Sequence, residues 1–440
     1  MINLRINLES LVWRLLTSYG RLKYRYFLPV YSLLGLTRKG VARPELSFAG
    51  ALAPARLMVR GLGRLNLQRT RQHVSGLMER TSHSRGTVLF LPSAGWYVVN
   101  TQRNKHLARE FAAQGYVSIY DSQNSYDDVS GLREVEHNVF LFRGDLRLLK
   151  DIPRLLLWAL PYNYQVSGEN MPGVGVVYDW IDDLQVFPFD QRFLLENHAR
   201  ALKEATAVFC SSRKLLDEAQ WTRPDALYLP NAVDVSHFAD NAVEPLHDRR
   251  VRRLLNEGKP IAGYYGALAK WFNYELISKV AGLRPDWSFL LIGPRYDSSL
   301  QQRGASMLKR PNVHWIGPRS YEALPAFLRA FDVAMIPFVV NDVTLATSPL
   351  KLFEYFAGGK PVISTPLPEC RAFDEVRTAG NPQDFSQALD AASSSGRDRE
   401  FVEHLRLVAQ QNSWATRVRK AIEHLEARRR GSTQNERETR

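Results

Sequence analysis

From Thr87 onward the chain repeats one texture, and that repeat narrows the folds open to it. "TVLFLPSAG" is a run of apolar, β-prone residues ending in a turn, "RNKHLAREFAAQG" has the spacing of an amphipathic helix closed by glycine, and "YVSIYD" is a second apolar run. Strand, helix and strand in that order form a β-α-β unit, whose parallel strands need helices on both faces of the sheet. "GVGVVYDW", "FLLENHARALKEA" and "TAVFCSS" repeat the unit. After a polar, charge-rich break at "DVSHFADNAVEPLHDRRVRRLLNEGK", strands resume with "PIAGYYGAL", "WSFLLIG", "VHWIG", "VAMIPF" and "KPVIST". At 440 residues the chain exceeds one ordinary core. An α/β protein of two Rossmann-like domains is expected, with ligand loops at the carboxyl ends of the strands facing an interdomain cleft.

Shifts in texture set the expected boundaries. Residues 1–86 read as a basic, partly amphipathic N-terminal extension, 87–240 as the first domain, 241–258 as a linker and 259–412 as the second domain. A C-terminal helix is expected over 413–430, and the polar stretch 431–440 is expected to be disordered.

Charge is concentrated at one end. Residues 1–86 hold 15 Lys and Arg against Glu9, Glu45 and Glu79, a net of +12 out of the chain's +13. Such a pole is a contact surface for phosphates rather than a property of the fold. Leu8, Leu11, Val12, Leu15, Leu16, Tyr19 and Leu22 recur at helical spacing with Arg14, Arg21 and Arg25 off that stripe, which suits a helix lying in a lipid interface. A helix docked on the protein's own body has the same pattern, and both readings stay open. Nucleic acid is not expected, because no recognised binding motif accompanies the arginines. The run "YFLPVYSLLGL" is too short to span a bilayer and contains proline. Cys210 and Cys370 form no disulfide framework or metal-ligand spacing, which suits a cytoplasmic, reducing compartment.

The stretch "TSPLKLFEYFAGGKPVIST" carries the densest chemistry. Ser348 suits a helix N-cap and Pro349 the first helical position, so free N–H groups at residues 349–351 would make an anion site. Lys351 and Glu354, three apart, face one side. A cation beside phosphate and a carboxylate one turn on, able to accept two ribose hydroxyls, is what a nucleoside diphosphate requires. The same spacing also describes a surface salt bridge on a packed helix. Gly266, Gly293 and Gly317 each end a strand of the second domain, where bare backbone can approach a phosphate.

Five stretches carry a family resemblance. "WYVVNTQRNKHLAREFAAQGYVSIY", "VVYDWIDDLQVF", "ATAVFCSSRKLLDEA" with "LPNAVDVSHF", "GYYGALAKWFNYELI" and "SPLKLFEYFAGGKPVIST" resemble segments of the retaining, family 4-like GT-B glycosyltransferases that build bacterial surface polysaccharides, capsule and lipopolysaccharide among them. The resemblance runs from about Thr87 to about Ala421. It implies a hexosyltransferase using a nucleotide sugar, with Glu354 on the ribose, Ser348, Pro349 and Leu350 offering main-chain groups to the diphosphate, and Lys351 neutralising it. Thr347 and Gly293 join that donor set, Gly266 lies by the phosphates and Gly317 by the base. No metal or cofactor is implied, since helix dipole and cation stabilise the leaving group.

Trp96, Asn100, Arg103 and Asp179 are the expected acceptor-side residues. Asp182 and Asp183, adjacent acids at a strand end, are with Lys351 the expected catalytic groups, because neighbouring carboxylates raise one another's pKa. An N-cap role for that pair is the competing reading. The acceptor expected is a lipid-linked or growing glycan, which would give the basic pole a use at the inner membrane face. Ala346 departs from the family, which often has a second glutamate there; Asp342 and Thr347 are the candidate substitutes. A nucleotide-sugar epimerase and an inactive donor-binding partner of an assembly complex are the alternatives.

Overall fold

The computed structural model describes residues 68, 70–98, 103–123, 127–239 and 246–438. The first sheet holds β1 (Thr87–Phe90), β2 (Val117–Asp121), β3 (Gly131–Glu136), β4 (Val139–Arg143), β5 (Leu155–Ala159), β6 (Gly175–Trp180), β7 (Ala207–Cys210) and β8 (Leu227–Tyr228). Its order is β3-β4-β2-β1-β5-β6-β7-β8. All neighbours pair in parallel except β3 with β4. The second sheet holds β9 (Ile261–Tyr265), β10 (Ser288–Ile292), β11 (Val313–Trp315), β12 (Val333–Ile336), β13 (Val362–Ser364) and β14 (Val376–Thr378) in the order β11-β10-β9-β12-β13-β14. That sheet is wholly parallel. In both sheets the order reverses beside the first strand, and the loops that part there open the crevice where ligands bind.

Helices cover the sheets as the β-α-β pattern requires. Residues 70–82 form α1, followed by α2 (Arg103–Ala113), α3 (Gln191–Glu204), α4 (Arg213–Gln220), α5 (Arg249–Asn256), α6 (Tyr274–Leu283), α7 (Leu350–Ala357), α8 (Pro382–Ser395), α9 (Arg399–Gln411) and α10 (Trp414–Glu438). Phe90, Phe111, Trp158 and Phe209 pack ring against ring, 5.4 to 6.2 Å between centroids, on one face of the first sheet. Burying side chains of this size stabilises a domain by roughly 1.5–3 kcal/mol each.

Four boundaries differ from the sequence expectation. Val74 and Leu77 of α1 are buried in the first domain's core, so the end of the basic extension is part of the body. Arg80 and Arg85 are paired there with Glu134 and Glu426, both at 2.7 Å. The amphipathic stretch 8–36 and residues up to 67 lie outside the described residues. The expected linker contains α5, whose Val251 and Leu254 sit in the second domain's core; an i, i+3 apolar pair was enough to anchor a helix that carries four arginines.

Helix α10, expected as a separate C-terminal element, returns to the first domain and buries Trp414, Val418, Ala421, Ile422 and Leu425 beside Phe90 and Trp158. It extends to Glu438, through the stretch expected to be disordered, because the Gln, Glu and Arg of that stretch continue a helix readily and no proline stops it. The chain therefore crosses between domains twice, side by side: the Val233 N–H donates to Asn412 O (3.2 Å) and the Trp414 N–H to Val233 O (3.1 Å). Among the described residues no helix is long and apolar enough to cross a membrane.

Candidate active site

The carboxyl ends of β9, β10 and β11 make a floor of bare backbone. Gly266 N–H donates to Ile292 O and Gly293 N–H to Gly317 O, both at 2.9 Å, so the three glycines lie side by side. Gly266 and Gly293 have φ of 137° and 149°, a region closed to other residues without strain. A Cβ on Gly293 would stand 1.8 Å from Gly266 O, so that glycine is required by its neighbour whatever else binds there. A Cβ on Gly266 would meet Tyr264 Oη at 2.9 Å and Lys351 Cε at 3.1 Å.

Helix α7 starts beside this floor. Pro349, not Ser348, is its N-cap, with φ −71° and ψ 105° and no side-chain cap. The N–H groups of Leu350 and Lys351 begin the helix without an intrahelical acceptor. Ser348 serves the other domain instead: its Oγ accepts the Asn231 N–H (3.1 Å) and its carbonyl accepts Asn231 Nδ2 (2.7 Å). The Thr347 hydroxyl donates to Val343 O (3.3 Å).

Lys351 lies with its Nζ 4.9 Å from the Phe338 ring centroid and 5.5 Å from that of Tyr264. Burial holds its pKa below the usual lysine value, opposed by Glu354, Cys370 and Asp182. Glu354 is 2% exposed, and burial pushes its carboxyl up to about 7 against the pull of the Tyr265 hydroxyl and Lys351. A carboxylate so deeply placed is not half of a surface salt bridge.

On the first domain, two expected acceptor-side residues prove to be internal. Asp179 is fully buried and accepts from Arg103 Nε (2.8 Å), Arg103 Nη2 (3.0 Å) and Trp158 Nε1 (2.9 Å). Arg103, 6% exposed, also donates to Leu229 O (2.9 Å) and Asn231 Oδ1 (3.3 Å). A buried ion pair must satisfy its remaining donors and acceptors internally, which leaves neither residue free for an acceptor. What the pair does is brace Asn231, which in turn grips Ser348 across the cleft.

Trp96 is also core rather than surface: it is 2% exposed, its N–H donates to Asp127 Oδ2 (2.8 Å), and its ring sits edge-on to Tyr120. Asn100 lies outside the described residues.

The acidic pair divides. Asp183 caps the short turn Leu184–Val186, accepting the Gln185 N–H at 2.9 Å, so for it the capping reading holds. Asp182 takes a left-handed φ of 53° that turns it the other way, towards Thr347 and Lys351 of the second domain. Burial pushes its carboxyl up to about 6, opposed by Arg103, Thr347 and Lys351 and reinforced by Asp183.

Several contacts between the domains had no sequence signal. Glu369, 3% exposed in the second domain, accepts the Arg213 N–H (2.7 Å), Arg213 Nη1 (3.3 Å) and the Tyr228 hydroxyl, all from the first. Lys214 Nζ likewise donates to Asp342 O (3.0 Å). Ala346 is fully buried and belongs to the first domain's apolar cluster, so that position is an interdomain contact. Among the described residues no three His, Cys, Asp or Glu side chains come together as a metal site.

Residues 259–394 match the family described as Glycosyl transferases group 1. The chain is 27% identical over 248 residues to "Putative teichuronic acid biosynthesis glycosyltransferase TuaH" of Bacillus subtilis (strain 168), covering 54% of this chain and 60% of that relative's length. Sucrose-phosphate synthase (tll1590) from Thermosynechococcus elongatus superimposes with a TM-score of 0.61 at 15% identity, over 77% of this chain and 98% of that one. Anabaena Alr3699/HepE in complex with UDP and glucose gives 0.55 at 16% identity, over 77% and 99%. A trehalose-6-phosphate protein from E. coli bound with UDP-2-fluoro glucose gives 0.57 at 12%, over 77% and 98%. The architecture of two facing Rossmann-like domains is GT-B.

Proposed function

We propose that this GT-B-fold chain, whose second domain carries the group 1 glycosyl transferase match, moves a sugar from a nucleotide-diphosphate donor to a lipid-linked or growing glycan in cell-surface polysaccharide biosynthesis. The observation that carries the reading is the pair formed by buried Glu354 and half-buried Lys351 at the start of α7 beside the Gly266, Gly293 and Gly317 floor. Burying an acid beside a partly desolvated cation is costly unless a ligand repays it. A nucleoside diphosphate does so: the Leu350 and Lys351 N–H groups and the Lys351 ammonium take the phosphates, and Glu354 accepts the ribose hydroxyls. UDP and glucose in the Anabaena neighbour support a donor of this class.

In the transfer, the bond from the sugar to the β-phosphate oxygen breaks and a bond to the acceptor oxygen forms, with retention at the sugar carbon. Lys351 and the helix start take up the charge on the departing phosphate without a metal. Asp182, facing Thr347 and Lys351 across the cleft, orients the acceptor hydroxyl or receives its proton; a pKa of about 6 leaves it largely ionised at neutral pH. Closing the cleft excludes water, so that transfer beats hydrolysis. The basic residues of 1–86 hold the chain at the anionic inner membrane face, where lipid-linked acceptors reside.

The burial of Ala346 against the first domain favours a second reading, a nucleotide-sugar-binding partner without turnover, because no carboxylate reaches the sugar from that position. Release of nucleotide from UDP-, GDP- and dTDP-sugars, with and without lipid-linked glycan, separates the two. Acceptor-dependent release supports transfer. Binding without release under every combination leaves only the partner reading.

A further inference from the structure

We propose that the outer mouth of the cleft is an acceptor subsite for a saccharide carrying negative charge, with Trp271 and Tyr296 stacking on the sugar ring from the second domain, Tyr162 and Phe189 facing them from the first, and Lys270 and Arg295 supplying the counter-charge. The inference rests on the glycosyltransferase reading and deepens it by naming the acceptor's chemistry.

Trp271 and Tyr296 sit on the loops that leave β9 and β10, just beyond Gly266 and Gly293. Their ring centroids are 5.5 Å apart, and Tyr296 is 66% exposed. These are not loose loops. Tyr296 N–H donates to Leu268 O (3.1 Å), Lys270 N–H to Asp297 Oδ2 (3.0 Å), Arg303 Nη2 to Lys270 O (3.1 Å) and Val339 N–H to Trp271 O (2.8 Å). A braced loop that holds large rings in water keeps apolar surface unburied, a feature that marks binding faces.

Across the cleft, Tyr162 follows β5 and Phe187 and Phe189 follow β6. Tyr162 stacks on Phe189 at 5.2 Å and 9° and packs on Phe187 at 5.2 Å. Tyr296 is near enough to Tyr162 to help raise its pKa, although burial is the main cause. All four loops leave the carboxyl ends of parallel strands, the face on which this architecture binds ligands.

A pyranose matches such walls, because its C–H face is apolar while its edge is polar. The charges decide which pyranose. Lys270 and Arg295 are exposed, and among the described residues their side chains have no hydrogen-bond or ion-pair partner. The acid beside them, Asp297, is occupied by the N–H groups of Lys270 and Ser299. An unpaired cation next in the chain to each ring of the aromatic pair complements a carboxylate or phosphate on the bound sugar.

The test measures binding to the full chain by calorimetry, without turnover. The probes are trigalacturonate, maltotriose and glucose 1-phosphate, each in the presence of UDP, GDP or dTDP. Trigalacturonate or glucose 1-phosphate should bind more tightly than maltotriose; which of the two binds better tells whether the charge is a uronate or a phosphate. Trp271→Ala and Tyr296→Ala should each weaken the charged probe about tenfold or more while leaving nucleotide affinity unchanged. Lys270→Gln with Arg295→Gln should erase the preference for charge and keep binding of the neutral probe. Variants that lower nucleotide affinity but spare the saccharides would assign the aromatic pair to the donor and overturn the subsite, with the transferase reading intact. No saccharide binding to the nucleotide-loaded chain would also overturn it. Saccharide binding by a chain that takes up no nucleotide would sink the transferase reading and leave the subsite standing.

Discussion

Glu354→Gln separates a binding residue from a structural one by the sign of its effect on stability. The carboxyl is 2% exposed and is pushed from its ordinary value of 4.5 up to about 7 by burial. Below about pH 4.5 it carries its proton in both folded and unfolded chains and contributes nothing. As pH rises towards 7 the unfolded chain releases the proton while the folded chain keeps it, so the unfolded state is favoured and stability falls. Above 7 both forms are ionised and the loss levels off at ~3 kcal/mol, the free-energy equivalent of moving from 4.5 to about 7. Glutamine has the same shape and never ionises, and the Tyr265 hydroxyl beside it can partner the new amide.

The variant should therefore match the parent near pH 5 and exceed it at pH 8, by up to ~3 kcal/mol, in urea unfolding followed by tryptophan fluorescence. Nucleotide affinity should move the other way. Replacing a charged acceptor of two ribose hydroxyls with a neutral one weakens binding by ~1.5–3 kcal/mol, or about 10- to 150-fold. A variant less stable than the parent at pH 8 would show that the carboxylate is held by internal partners, and the argument for an unmet binding site would fail.

Five further substitutions probe the rest of the site. Asp182→Asn keeps a residue that tolerates the left-handed φ of 53°; it should abolish most transfer and remove any rise in rate through about pH 6, whereas Asp183→Ala should cost about 0.5–2 kcal/mol of stability and spare transfer. Gly293→Ala places a methyl 1.8 Å from Gly266 O and should leave little folded protein by circular dichroism; Gly317→Ala meets nothing within 4 Å and should cost only ~1–2 kcal/mol for its positive φ. Asn231→Ala removes the grip on Ser348 and one acceptor of buried Arg103, so a loss of ~1–3 kcal/mol in unfolding should accompany a higher donor KM. A changed KM without destabilisation would mean that the brace through Arg103 is not what sets Ser348.

The nine strands read from the apolar runs all occur, because a run of branched residues bounded by glycine has few other ways to bury both faces. The strands that went unread, β3, β4, β5, β8 and β14, lack that punctuation: "LLLWA" serves a buried helix or a buried strand equally well. The positions of Lys351 and Glu354 on one helix and of the glycines at strand ends were legible for the same local reason, since such spacing is written within a few residues. Asp182 and Asp183 show where that reasoning stops. Their order in the chain makes them equivalent, and one backbone dihedral sends one to the cleft and the other to a cap.

By itself the sequence determined the periodicities, and with them two mainly parallel sheets, a helix starting beside strand-end glycines and a basic pole. Only the tertiary structure decided which polar residues are internal. Arg103 and Asp179 are 76 residues apart and look like cleft residues until their mutual burial consumes them. Asn231 and Glu369 look ordinary until the domains meet and each becomes a contact between them. Local patterns arise from the geometry of one element, whereas the fate of a charge depends on which distant partner folding brings within hydrogen-bond reach, and nothing in its own neighbourhood records that.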